Sequence, residues 1–477
     1  MGQEIDHSNF SKSDFERFYG HLESETTLLR KILQDEQCSQ EGPVAGFEIE
    51  TWLVDGEMSP TPFNTEFLRE FDNPLATPEL AKFNVELNNH PEPLTGRALS
   101  KLHKGLNHIV GSATKTAEAL NSHLLMIGTL PTLRQSDLTL NNMSALNRFR
   151  ALNEQILKTG RVPIHLDIEG KQHLQCDHSD VMLESGATSF QLHIQTPLKQ
   201  AHKIYNASIM ASAPVVAVSA NSPFLFGMDL WAETRIPLFE QSINIGSYDG
   251  ESHEPLHRVS FGSGYARESI FECFKENLEC FPVLLPSQLV SNPDHLNYLR
   301  LHNGTIWRWN RPLIGFDTNG KPHIRIEHRV IPSGPTIVDM MANAAFFYGL
   351  TTSLAADSVD PEPLIPFSTA KTNFYQASRH GMNAHISWIG DKKTSIQSLV
   401  LNELLGKAKH GLALLEIAEQ DADFYLDIIS QRVKSGLNGC EWQRGFMREN
   451  HADLKTLTQV YLKNQNSGKP VHTWTKP

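Results

Sequence analysis

The sequence predicts one large α+β domain, with a mainly antiparallel sheet in the region before Thr336 and a helical C-terminal part. Three observations predict it. Several stretches alternate apolar and polar residues with period two (Val44–Asp55, Ser189–Gln195, His323–Val330), the signature of half-buried antiparallel strands. From Thr336 onward, apolar residues recur at helical spacing almost without interruption. No internal repeat, low-complexity tract or Pro/Gly/Ser-rich linker divides the chain, although 477 residues alone would suggest two or three domains.

Residues 12–36 carry Phe15, Phe18, Tyr19, Leu22, Leu29 and Leu33 at helical spacing and read as an amphipathic helix. Gly42 and Pro43 lead into VAGFEIETWLVD (Val44–Asp55), where Glu48, Glu50 and Trp52 point to one face and Phe47, Ile49 and Leu53 to the other. Two carboxylates at this spacing lie roughly 7 Å apart at Cβ and repel by about 2 kcal/mol at an effective dielectric of about 20. Further carboxylates on the same patch would add to the repulsion, and a bound cation would relieve it. Residues 65–71 read as a short helix and Lys82–Leu87 as a short strand, with Glu86 opposed to Val85 and Leu87 and Glu79 seven residues before it. A long helix over Leu94–Leu120, a buried strand at Leu124–Ile127 and a helix over Ser144–Leu157 bearing Arg148 and Arg150 follow.

Strands at Val162–Ile168 and Ser189–Gln195 come next, the second with Gln191, His193 and Gln195 on one face. Residues 198–217 are poor in charge and read as a buried helix running into VSANSPFLFG. An irregular region, 228–264, holds Arg235, Arg258 and the loop GSG. Helices at 265–278 and 286–300 precede a strand at Gly304–Pro312, which the turn DTNG (317–320) joins to His323–Val330 as a hairpin. In its second strand Arg325, Glu327 and Arg329 share one face, and Ile324, Ile326 and His328 the other. The remainder reads as helices at 336–356, 369–380, 394–418, 421–435 and 450–464.

Hydrophobic content of 40% and charged content of 20% are ordinary for a globular protein. Lys and Arg number 42 against 54 Asp and Glu, a net charge of −12 that argues against non-specific nucleic-acid binding. Five cysteines with no CxxC pair fit a reducing compartment better than a disulfide framework. No apolar leader and no run of about 18 apolar residues is present, so a cytoplasmic location and no membrane contact are expected.

The familiar nucleotide and hydrolase motifs are missing. GSATKT (Gly111–Thr116) lacks the second glycine and the ending of a P-loop, and there is no GxGxxG after a strand, no HExxH and no GxSxG. The positive signal is a set of polar side chains on strand faces: Glu48, Glu50, Glu86, His193 and Glu327, with Glu79 near a strand start. Carboxylate oxygens suit Mg²⁺ or Mn²⁺, and Mg²⁺ favours a few carboxylates plus phosphate oxygens and water, as at a nucleotide site. Arg311, Arg325 and Arg329 on neighbouring strands could clamp phosphate or carboxylate oxygens. Alternation alone equally allows these to be solvent-facing residues of amphipathic strands.

Taken in order, GFEIETWLVD, ELAKFNVE, SFQLHIQ, SANSPF, WRWNRP and IRIEHR resemble the glutamate–cysteine ligase type 2 family, also called the bacterial carboxylate–amine ligases. SRHGMNA (Ser378–Ala384) and GCEWQRGFMREN look like that family's C-terminal helices, and the resemblance covers roughly residues 40–465. It implies a fold similar to the glutamine synthetase catalytic domain and guanido kinases: a curved antiparallel sheet, helices on its convex side, and ATP with Mg²⁺ (or Mn²⁺) on its concave side. It further implies an N-terminal helix at 1–39, an ATP-dependent ligase catalytic domain at 40–390, and 391–477 as the helical end of the same domain.

By the same resemblance, Glu48, Glu50, Glu79, Glu86, His193 and Glu327 are metal ligands. Glu327 and Arg329 are catalytic, with Arg329 contacting the transferred phosphoryl group. Arg235, Arg311 and Arg325 are candidates for binding the substrate. The implied reaction phosphorylates a carboxylate with ATP and lets an amine displace the phosphate, with small carboxylates and amines, amino acids first among them, as partners. Two segments depart from the family's pattern. Asn88-Asn89-His90-Pro91 stands where a hydroxyl residue before proline is more usual, and Val330-Ile331-Pro332 stands where an acidic residue is usual. The identity of acid and amine is therefore open. The rival readings are a phosphotransferase on the same fold class and a non-catalytic nucleotide-binding relative.

Overall fold

The acidic stretch forms the strand on which the rest of the sheet is built. In the computed structural model, which describes residues 4–158, 163–243, 248–249, 255–289, 293–357 and 360–475, α1 (Lys12–Gln34) precedes β1 (Val44–Val54). Then come α2 (Asn64–Phe71), β2 (Ala76–Pro78), β3 (Asn84–Asn88), β4 (Glu92–Pro93), α3 (Ala98–Ala119), β5 (His123–Leu125) and α4 (Asn147–Lys158). A hairpin of β6 (Ile164–Glu169) and β7 (His173–His178) is followed by β8 (Phe190–Thr196), α5 (Leu198–Ser219), α6 (Arg235–Ser242), α7 (Phe271–Cys280) and α8 (Asn297–Gly304). The hairpin β9 (Asn310–Phe316) and β10 (Pro322–His328) closes the sheet, and α9 (Ile337–Ala356) opens the helical part.

The sheet runs β9-β10-β8-β1-β3-β2, with β4 and β5 also paired to β1, and every pairing is antiparallel. It is curled into a half-barrel. Its register sorts the side chains. Phe47 faces Leu192, Ile49 faces Phe190 and Leu87, and Ile326 faces Ile194, so one face is mainly apolar. On the other face Glu48 lies across from Gln191, Glu50 from Glu86, Glu327 from His193 and Arg311 from Glu327. A slip of one residue would turn the carboxylates into the core; each buried apolar side chain, worth about 1.5–3 kcal/mol, opposes it.

Helices α5 and α9 cover the apolar face, packed against each other and against β8, β9 and β10. Helix α9 is buried nearly all round, and its N-cap Thr336 accepts the Asp339 backbone N–H. Tyr348 from this helix donates its hydroxyl to the backbone oxygen of His193 at 3.1 Å, fixing the strand from beneath. His328, the odd member of the apolar face, stacks on Phe347 at 4.0 Å with its Nδ1 at 2.7 Å from Asn310 Oδ1. Burial pushes its pKa down to about 3, so it is a neutral aromatic member of the core. Gly349 and Gly411 let α9 and the helix Leu405–Leu414 touch backbone to backbone; a Cβ on Gly411 would sit 1.8 Å from the Gly349 oxygen.

Where expectation and structure differ, local chemistry explains it. The helix expected at 286–300 forms only over Asn297–Gly304, after a short turn at Pro293–His295. Pro293 falls inside the expected helix and has no N–H to donate to its hydrogen-bond ladder. The strand expected at Gly304–Pro312 begins later and runs to Phe316, because Gly304 still belongs to α8. The β7 strand and a further hairpin (His385–Trp388 with Lys392–Ser395) were not expected, whereas GCEWQRGFMREN forms the helix Gly439–Asn450 that the family resemblance implies. Val162, the expected start of one strand, lies outside the described residues.

Candidate active site

Three strands bring together three groups that their sequence separation hides. Glu48 on β1, His193 on β8 and Glu327 on β10 each offer one ligand atom, all within 4.8 Å of one another, and all three residues are buried. His193 Nε2 lies 3.2 Å from Glu48 Oε1, yet neither imidazole nitrogen makes a hydrogen bond of acceptable geometry. A buried histidine with orphaned nitrogens beside two carboxylates is the donor set a divalent cation fits.

Cations already in the protein hold this end of the site anionic. Arg311 grips Glu327 with both arms of its guanidinium (Nε to Oε2 2.8 Å, Nη2 to Oε1 3.1 Å). Arg329 donates to Gln191 Oε1 at 2.5 Å and to Glu327 Oε2 at 3.4 Å. Burial would raise the pKa of Glu327, but Arg311, Arg329 and His193 outweigh it and hold the carboxyl at about 2. Glu48 is likewise held well below the usual carboxylate range, its burial outweighed first by His193.

The neighbouring carboxylates meet the opposite environment. Glu50 accepts the Ser189 N–H (2.6 Å) and the Gln191 side chain (2.7 Å), and its pKa is raised by burial. Glu86 accepts Asn88 Nδ2 (2.7 Å) and Thr77 Oγ1 (3.1 Å) on one oxygen; the other is buried without a partner. Burial and then the charge of Glu48 push Glu86 up to about 8. Glu79, just past β2, has a buried oxygen with no partner and is raised well above the usual range by burial and by Glu86 and Glu50. Glu184, on the turn Val181–Gly186, repeats the pattern: one orphaned oxygen, and a pKa pushed by burial to about 8.

A cavity of about 500 Å³ opens over the polar face. The sheet supplies Glu48, Glu50, Glu327, Arg311, Arg325 and Arg329, with Glu79 and Glu184 beside them; α4 supplies Arg148 and Phe149, and α8 supplies Asn297, Arg300 and Asn303. A smaller recess of about 50 Å³ adjoins it, bounded by Glu50, Glu79, Glu184, Arg235, Phe239 and Arg329. Such a cavity, mixing apolar walls with converging charges, is of the size that small-molecule sites have.

Of the residues expected from the sequence, Glu48, Glu50, Glu79, Arg311, Arg325, Glu327 and Arg329 line the main cavity, Arg235 lines the recess, and Glu86 lies across from Glu50. His193 joins Glu48 and Glu327. Arg235 and Arg311 spend their donors inside the protein: Arg235 on Glu233 and on the backbone oxygens of Arg329 and Val330, Arg311 on Glu327. Arg325 is half-buried and lines the cavity. Glu184, Arg148 and Arg300 were not expected. They sit on a turn and on two helices, where strand alternation carries no signal. Gln191, by contrast, was visible on the polar face of its strand, and it bridges Glu50 and Arg329.

A curled antiparallel sheet with this cavity on its polar face is the fold class that the sequence predicts. The structure superposes on a glutamate–cysteine ligase from Francisella tularensis in complex with AMP, with a TM-score of 0.55 and 10% identity, covering 92% of this chain and 91% of that one. It also superposes on a bifunctional glutathione synthetase from Pasteurella multocida, with a TM-score of 0.55 and 10% identity, over 91% of this chain and 54% of that one. At such identity the likeness shows a common fold. No curated protein matches the sequence. The sequence model of glutamate–cysteine ligase family 2 matches residues 44–459, and the chain belongs to that family. It is an ATP-dependent carboxylate–amine ligase, an enzyme that forms C–N bonds between small amino-acid substrates, in a family that typically uses a divalent metal. Among the described residues no helix is long and apolar enough to cross a membrane.

Proposed function

We propose that this chain is a Mg²⁺-dependent ligase that converts an amino-acid carboxylate to an acyl phosphate with ATP and passes the acyl group to an amine. The carrying observation is the convergence of Glu48, His193 and Glu327 within 4.8 Å at a cavity of about 500 Å³. In this reading these three hold one cation, and Glu50, Glu79 and Glu86 hold a second. A bound cation neutralises phosphate oxygens and the charge that develops on the transferring group.

The protein's own groups do the rest. Arg329, kept charged because Glu327, Glu50 and Glu48 outweigh its burial, presents its guanidinium to the phosphoryl group. Gln191 and Glu327 fix its direction. Arg325 takes the substrate's free carboxylate, since it lines the cavity with a buried Nε that has no protein partner. Arg311 and Arg235, with their donors already engaged, act by holding Glu327 and the Arg329–Val330 backbone in place. The cavity walls from α4 and α8 shield the acyl phosphate from water.

The test is ADP release with Mg²⁺ across amino acids, singly and in pairs, with mass spectrometry of the products; glutamate with cysteine is the first pair. The expected result is release that needs a carboxylate and an amine together, with a product lighter by one water than their sum. ADP release with a phosphorylated product and no amine requirement would overturn it. Cytoplasmic location and the choice of Mg²⁺ over Mn²⁺ belong to the same proposal and are tested by fractionation and by metal replacement.

A further inference from the structure

A cleft of about 480 Å³ shares no lining residue with the catalytic cavity. It lies between the β6–β7 turn (Gly170, Lys171), Leu230, the end of the helix Phe367–His380 and the helix Gly439–Asn450. Four cationic side chains meet there: Lys171, Arg379, Arg444 and Arg448. Among the described residues, two carboxylates pair with them. Asp229 Oδ1 binds Arg444 at 2.7 Å and its Oδ2 lies 3.8 Å from Lys171, while Glu441 is 3.7 Å from Arg444. The excess is 4 − 2 = +2, on a chain whose net charge is −12.

The charges are also set up to receive something. Arg444 is 4% exposed and held by Asp229 and the Leu230 backbone oxygen (2.9 Å), so its position is fixed in advance. Arg379 lies 5.8 Å from the Trp231 ring centroid, and neither it nor Arg448 makes an ion pair within 4 Å among the described residues. Arg444 and Arg448 stand four apart on one helix, a spacing at which like charges repel. The field is felt by His380, whose pKa is lowered by burial and then by Arg379 and Arg444. Planar guanidinium forks from two helices, with a lysine from a turn lining the same cleft, match phosphoryl oxygens.

We infer that this cleft is a second site, for a small phosphate-bearing anion of pyrophosphate size or larger, held by Arg379, Arg448 and Lys171. The test is calorimetric titration of the full-length protein with inorganic pyrophosphate and, separately, ADP, in EDTA so that metal-dependent binding at the catalytic cavity is silent. Binding is expected in the wild type and in Glu327→Gln. It should weaken about tenfold or more in Arg448→Glu, the loss of one charge-assisted pair, and similarly in Arg379→Ala. Arg448 is exposed, so its variant tests binding without touching the core. The His380 imidazole, followed by NMR, should titrate at higher pH when pyrophosphate is bound. Tighter binding of ADP would identify a nucleotide as the natural source of the phosphates, and equal binding the inorganic group. No binding of either probe, wild-type affinity in both arginine variants, or loss of binding in Glu327→Gln would overturn the inference.

Discussion

The two ends of the polar sheet face hold the same side chain in opposite states. At the β10 end, Glu327 and Glu48 are buried and still acidic, because Arg311, Arg329 and His193 stand beside them. At the β3 end, Glu79, Glu86 and Glu184 are as enclosed, and burial, reinforced by neighbouring carboxylates and only partly offset by Arg148 at Glu79 and Arg329 at Glu184, makes their pKa values climb. The difference lies in what each end was built to share. The first end carries its own counter-charge and stays folded around it. At the second, the nearby arginines do not offset burial and mutual repulsion, and a proton or a cation from solution relieves them. Carboxylates equivalent on the strand are therefore unequal in what their removal does.

Removing charge at the neutralised end should have the largest effect. Glu327→Gln keeps an oxygen for Arg311 but loses the anion that Arg329 and the proposed cation share. A fall in kcat of about 10²–10³ is expected, the size seen when one electrostatic partner of a transition state is lost. Glu327→Ala should also cost about 3–5 kcal/mol of stability, because it leaves Arg311 buried without its partner. Steady-state ADP release and urea unfolding read the two effects apart. A variant with wild-type turnover would show that the comparison misplaces the chemistry.

Glu79→Gln probes the other end and should act in the opposite direction on stability. In EDTA the wild type keeps a crowded, orphaned carboxyl there, and the amide removes it. The variant is expected to melt roughly 2 °C higher without metal, and to lose most of the upward shift that Mg²⁺ gives the wild type. Its metal affinity should fall at least about tenfold. Differential scanning calorimetry with and without Mg²⁺ decides it; an unchanged Mg²⁺ response would remove Glu79 from the proposed ligand set.

Much of this was legible because strands write their faces in alternation. Glu48, Glu50, Gln191, His193, Arg325 and Glu327 all lie on the face that period two assigns them, and the DTNG turn sits where β9 meets β10. What alternation does not carry is depth and company. It cannot say that Glu327 is locked to Arg311 while Glu86 has an orphaned oxygen, since both depend on the register of separate strands. Glu184 was invisible because a short turn has no period. The family-like segments SANSPF and GCEWQRGFMREN turn out to touch each other: Gln443 donates to Asn221 Oδ1 at 3.0 Å, and Gly439 is needed because a Cβ there would sit 2.0 Å from that oxygen. The motif buttresses the loop that follows α5, and neither segment is among the residues that line the main cavity.

Glu240 sharpens the comparison from outside the site and should give the smallest effect. Its Oε1 accepts Trp309 Nε1 and the Tyr375 hydroxyl, both at 2.8 Å, and burial pushes its pKa up to about 7 despite those bonds and the charge of Lys371. The folded state thus holds a proton that the unfolded chain releases near the ordinary value of 4.5. Between these two values the native state binds more protons, so this group makes stability fall as pH rises from about 4.5 to about 7 and adds no further slope above that. Glu240→Gln leaves an oxygen for both donors and nothing to ionise. Unfolding free energies measured from pH 4.5 to 8 should show a shallower decline in the variant, with the two proteins diverging toward neutral pH in the variant's favour. If their difference stayed constant across the range, Glu240 would be ionised in the folded state. Two neutral hydrogen-bond donors and the charge of Lys371 would then suffice to hold a buried carboxylate charged, and the contrast between the two ends of the sheet would no longer rest on the arginines.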